Sequence, residues 1–143
     1  AFSFKSNVVS TPNTASSRLR DLRYTSTIDI AARTAESLDL AHGDVVELTS
    51  PGGRIEGLLR VREGMHPEAI GVEHGFGRSG EGAITVQIGQ ETLEGLRFRK
   101  SGACINLLGF ADPDRPGRIA LSDFAVGSNS RQVIPVRIRK LSA

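Results

Sequence analysis

The sequence predicts a small, mainly β domain with a few short helices. Helical spacing is confined to short stretches, whereas two apolar runs flank the turn-forming tetrapeptide Ser50-Pro51-Gly52-Gly53 as strands flank a hairpin. Sixteen glycines in 143 residues, with a hydrophobic fraction of 38%, suit a loop-rich fold rather than a helical bundle. Near the end, Ile134, Val136 and Ile138 alternate with Arg137 and Arg139, the period of a half-buried strand.

Phe4–Ser10 alternates weakly, ends in Val8-Val9 and reads as an opening strand. Ser10–Ser17 is a polar loop, and Arg18, Arg20 and Arg23 follow it at once. Two readings stand side by side: a solvated surface loop, or a loop whose hydroxyls, amides and guanidinium groups face a phosphate-bearing ligand. Ser26–Ile30 is extended. Ala31, Ala35 and Leu38 then recur at helical spacing and predict a short helix over Ala31–Leu38. Asp39–Asp44 turns the chain, with Gly43 free to become left-handed. Val45–Thr49 and Ile55–Val61 form the hairpin around Ser50–Gly53, and Val45, Val46, Leu48, Ile55, Leu59 and Val61 are expected to supply much of the core. Glu63–Pro67 reverses the chain into a further strand at Ala69–Val72.

Past Val72 the texture changes. Glu73–Gly82 holds glycines at 75, 77, 80 and 82 and cannot be regular structure, and His74 and Arg78 supply donors within it. His74, a lone loop histidine, reads as structural or idle more often than as functional. Ala83–Ile88 suits a strand, and Leu93 and Leu96 within Glu91–Lys100 predict a short exposed helix. Cys104–Gly109 is an apolar run with one amide inside it. Asn106 is therefore expected to be buried with a definite partner, either a backbone group or a ligand. Asp112–Gly117 is loop, and Gln132–Lys140 is the closing strand, with Pro135 near an edge.

Length and composition limit the function classes. A single domain over residues 1–143 buries roughly 70% of its unfolded surface, so neither disulfide nor metal is needed to hold it. A net charge of +2, with only 5% aromatic residues not interleaved with the basic ones, argues against a nucleic-acid partner. Cys104 is the only cysteine, which excludes an intrachain disulfide and reads as a buried structural thiol. No apolar run approaches the ~20 residues needed to span a bilayer, no signal peptide is visible, and no direct membrane insertion is expected. The spacing of His42, His66 and His74 matches no metal site, and neither a nucleophilic triad nor a phosphate-loop motif occurs. A first residue Ala1 in place of Met suits a processed chain or one cut from something longer.

Taken in order, these elements resemble the molybdopterin dinucleotide-binding domain, the C-terminal domain of the dimethyl sulfoxide reductase family of molybdenum and tungsten enzymes. The resemblance rests on the Ala35…Leu38 helix with Gly43-Asp44 before Val45-Val46, then on the Ser50–Gly53 turn and on Arg62–Pro67. His74-Gly75-Phe76-Gly77 is similar to versions in the tetrathionate, thiosulfate and arsenate reductase branches. Asn106-Leu107-Leu108 matches the family's asparagine followed by leucine, and Pro135-Val136-Arg137-Ile138 resembles its last strand. The resemblance covers nearly the whole chain. It departs where the family often has Asn-Pro at the helix start and this chain has Ala31-Ala32, leaving no side-chain N-cap. It departs again where many members carry Tyr-Lys and Arg131-Gln132 stands here.

The resemblance implies a six-stranded double-psi β-barrel covering one side of a bis-molybdopterin guanine dinucleotide carrying molybdenum or tungsten. By the same analogy Ser10, Thr11, Asn13, Ser16, Ser17, His74, Gly75, Phe76, Asn106 and Gln132 would bind cofactor, with no catalytic residue and no metal ligand in this chain. An iron–sulfur cluster would lie elsewhere in the parent. The partners implied are the remaining domains of the catalytic chain, together with an iron–sulfur electron-transfer subunit. The implied parent is an enzyme of anaerobic respiration reducing a sulfur or arsenic oxyanion, periplasmic or exported, otherwise cytoplasmic. The isolated chain is expected to be inactive. The same architecture also serves as a non-catalytic recognition module binding protein or peptide, which is the alternative reading.

Overall fold

A computed structural model describes residues 1–4, 25–77, 85–94, 102–109 and 134–141. Eight strands occur among them: β1 (Phe2–Phe4), β2 (Thr27–Ala31), β3 (Val45–Ser50), β4 (Gly53–Arg62), β5 (Ile70–Glu73), β6 (Thr85–Ile88), β7 (Glu91–Glu94) and β8 (Arg137–Lys140). Helix α1 spans Ala32–Ser37, and a 3₁₀ turn spans Ile105–Leu108. The mainly β prediction holds, and among the described residues no helix is long and apolar enough to cross a membrane.

Six strands form one mixed sheet in the order β1-β5-β2-β4-β3-β8, with β2 parallel to β4 and antiparallel to β5. The sheet is open, which corrects the expectation of a closed barrel. Among the described residues, its two edge strands approach only where Ala1 and Ile134 exchange backbone N–H···O bonds. That single exchange is not a ladder.

The hairpin and the turn before it follow local chemistry. Helix α1 has no side-chain N-cap, as Ala31 predicts, and stops in a Schellman arrangement: Leu40 N–H donates to Ala35 O and Asp39 N–H to Glu36 O. Asp39 takes the left-handed position (φ 52°) that glycine usually fills, and Leu40 and Ala35 bury together beneath it. Gly43 then has φ 90°, its N–H donates to Leu59 O, and Leu59 N–H donates to Asp44 O. This is a G1 bulge, so the Gly43-Asp44 pair has a structural reason: glycine for the left-handed residue, aspartate to accept the Ala41 N–H.

The core lies on one face of the sheet, where Ile28, Ile30, Val46, Leu48, Ile55, Leu59, Ile70 and Val72 pack. Val61 packs against the cluster only partly buried. Val45 is a correction: it is 45% exposed, because period-2 alternation puts it on the opposite face with Glu47. That second face is ionic. Asp29, fully buried, accepts two bonds from its cross-strand partner Arg60 (2.9 and 2.5 Å) and one from Arg62 (3.2 Å). Glu47 faces its register partner Arg139 at 2.7 Å, and Asp44 faces Lys140 at 2.8 Å.

The helix expected over Glu91–Lys100 is also corrected. Residues Glu91–Glu94 are strand β7, hydrogen-bonded to β6 with Ile88 opposite Glu91. Gly89 at φ 63° opens the two-residue Gly89-Gln90 connection, the requirement of a type II′ hairpin turn, and this local signal outweighs the leucine spacing. Residues 95–100, like 5–10 of the expected opening strand, lie outside the described residues.

Candidate functional site

The 102–109 segment joins the turn end of the β3–β4 hairpin to the glycine-rich loop. The hairpin turn is tied by Ser50, whose Oγ accepts from Gly52 N–H (3.1 Å) and Gly53 N–H (3.2 Å) while its hydroxyl donates to the Leu108 carbonyl. The 3₁₀ turn therefore lies directly on the hairpin. A Cβ on Gly52 would stand 2.5 Å from Leu108 O, so both turn glycines are needed for this backbone-to-backbone contact.

On the other side, the 102–109 segment meets the glycine-rich loop. Gly77 (φ 65°) approaches Cys104 so closely that a Cβ would lie 2.5 Å from its nitrogen. Gly102 (φ 81°) is packed against Ser26 and Phe76. Buried Ser26 accepts the Ala103 N–H at 2.9 Å, fixing the segment to the start of β2. The end of the glycine-rich loop, Phe76-Gly77, is thus brought against residues 102–104, just ahead of the turn carrying Asn106, a proximity the sequence does not reveal.

Asn106 is exposed, not buried, which corrects the sequence reading. A 3₁₀ turn has three residues per turn, so Ile105 and Leu108 point into the core while Asn106 and Leu107 point out. Its amide needs no partner from the fold and is displayed to the exterior. Phe76 is 5% exposed and anchors the loop, whereas His74 and Gly75 are half-buried, with Gly75 at φ 101°. Cys104 is half-buried rather than buried. Ser10, Thr11, Asn13, Ser16, Ser17 and Gln132 lie outside the described residues.

Away from this turn, two carboxylates of the ionic face of the sheet have shifted acidities. The Arg139 hydrogen bond, above all, holds Glu47 below the usual carboxylate value against the opposing effect of burial. Lys140 and the Ala41 N–H do the same for Asp44. Among the described residues no three His, Cys, Asp or Glu side chains gather as a metal site. What the site offers is an outward amide with donor and acceptor, a half-buried imidazole on the loop that packs against the same segment, and backbone bent by left-handed glycines. That donor set fits a polyfunctional dinucleotide, with Asn106 and His74 as the side chains that would hold it.

Residues 5–115 match the family described as Molydopterin dinucleotide binding domain. The chain is 31% identical over 144 residues to a tetrathionate reductase subunit from Salmonella typhimurium, an alignment covering 97% of this chain and 14% of that protein. Among solved structures, acetylene hydratase from Pelobacter acetylenicus is similar at TM-score 0.45 and 22% identity, over 52% of this chain and 11% of that one.

Proposed function

The chain belongs to the molybdopterin dinucleotide-binding domain family, and on that footing we propose that it forms one wall of a bis-molybdopterin guanine dinucleotide site in a larger catalytic subunit. The observation that carries this reading is the outward amide of Asn106, held between the Ser50–Gly53 turn and the His74–Gly77 loop. When bound, the cofactor supplies the redox chemistry. This chain's part is to bind and orient it: Asn106 pairs both amide groups with it, His74 adds a ring nitrogen, and the bent backbone at Gly75 lets the ligand come close. Ser10, Thr11, Asn13, Ser16, Ser17 and Gln132 complete the proposed contacts.

The tetrathionate reductase likeness supports a parent that reduces a sulfur oxyanion. An iron–sulfur cluster and an electron-transfer partner outside this chain belong to the same proposal. The chain spans about 14% of that relative's length, in keeping with one domain of a multi-domain enzyme. The test is chemical. Full-length protein containing this chain should carry molybdenum or tungsten and release about two guanine mononucleotides per metal on acid hydrolysis. Metal without guanine nucleotide would reject the dinucleotide reading.

A further inference from the structure

Beside the hairpin turn, β3 and β8 part, and the register explains why. Leu141 N–H donates to Val45 O, so hydrogen-bonded pairs of this antiparallel ladder fall at 45/141, 47/139 and 49/137. The next such pair would be Pro51 with Pro135, and neither has an N–H to give. The ladder stops at Thr49–Arg137, and an open cleft of about 460 Å³ forms, lined by Thr49, Ser50, Pro51, Pro135, Val136 and Arg137.

The chemistry of its rim is one-sided. Directly opposed residues point to the same face, so Thr49 stands between Arg54 on β4 and Arg137 on β8, the two arginines about two strand spacings, or ~10 Å, apart. On the next row Glu47 binds Arg139 at 2.7 Å and lies 4.0 Å from Arg54, with Glu56 beyond it. Three guanidinium groups thus face two carboxylates, and Arg137 is the one with no ion pair among the described residues. Ser50 is saturated by its turn and shapes the wall, while the Thr49 hydroxyl, held at 3.2 Å by Glu47, can rotate toward an incoming acceptor. The prolines and Val136 give flat apolar walls.

We propose that this cleft is an oxyanion site that takes an organic phosphate. Arg137 forks onto the phosphoryl oxygens, Thr49 and Arg54 supply further donors, and the apolar body lies on Pro51, Pro135 and Val136. A phosphate dianion with three terminal oxygens uses two guanidinium groups and a hydroxyl more fully than a carboxylate does. The volume exceeds what a bare anion fills and is within the range of small-molecule sites. The cleft is separate from the Asn106 amide, and this inference stands whether or not the dinucleotide reading does.

The probes are phenyl phosphate, inorganic phosphate and phenol, titrated into the 143-residue chain while backbone amide shifts are followed. Phenyl phosphate should bind, moving Thr49, Ser50, Val136 and Arg137, with inorganic phosphate at least tenfold weaker and phenol silent. Arg137→Gln should weaken phenyl phosphate tenfold or more with unchanged Tm, while Arg33→Gln, an exposed change on α1, should leave it alone. Equal affinity for the two phosphates, indifference to Arg137→Gln, or shifts confined to His74 and Asn106 would each overturn the proposal.

Discussion

Gly53 and Leu107 meet backbone to backbone: the Leu107 carbonyl oxygen occupies the space that a Cβ on residue 53 would need. Asn106 precedes Leu107, so the hairpin turn sets the position of the proposed cofactor-facing amide. Packing of the turn against the 107–109 backbone explains why Gly52 and Gly53 stand in this turn.

Gly53→Ala should therefore destabilise the domain by roughly 1–3 kcal/mol, because the obstructing atom is backbone and cannot rotate away. Urea unfolding measures it. Amide shifts should change over 105–109 as well as in the turn. A variant as stable as the parent would show that the two backbones are not in contact.

Acid should loosen β8 first. The carboxyls of Asp44 and Glu47 have folded pKa values below their unfolded ones, so they stabilise the fold above the unfolded carboxylate range. That contribution is lost as pH falls through the lowered folded values, below about 4. Protection of the Leu141 N–H, which donates to Val45, should fall over that window ahead of protection in β2. Lys140→Met combined with Arg139→Met should abolish most of the difference.

Pro135→Ala should restore one donor opposite Pro51 and extend the β3–β8 ladder by a pair. A hydrogen bond of about 0.5–1.5 kcal/mol then opposes about 0.4–1 kcal/mol of unfolded-chain entropy, so stability should change little. Hydrogen exchange should show a protected amide at 135, and phenyl phosphate should bind more weakly. A fast-exchanging amide there would mean that the strands part for another reason.

Much of this fold is legible in the sequence, because its signals are local. Gly43 marks the bulge, Ser50–Gly53 the hairpin, and alternation places Val46, Leu48, Ile55 and Leu59 inside. Val45 misleads because an apolar residue at the end of a strand says nothing about which face it shares. Leu93 and Leu96 suggest a helix only when their spacing is weighed over the Gly89-Gln90 turn. Asn106 sits in an apolar run that winds with period three, so its exposure cannot be read from its neighbours' hydrophobicity. The contact of Phe76-Gly77 with residues 102–104, and the facing of Pro51 and Pro135, depend on long-range register. No window of sequence contains them.

The most direct test is Asn106→Leu in the full-length protein that contains this chain. The residue is exposed, so the fold should lose no more than about 0.5 kcal/mol. Ligand groups left unpaired should cost about 1–3 kcal/mol each, a loss of roughly 5- to 150-fold in cofactor affinity. Guanine nucleotide released per folded molecule should fall sharply against the parent protein, with the unfolding midpoint of the domain unchanged. An undiminished nucleotide yield from a folded variant would contradict the placement of the dinucleotide on Asn106.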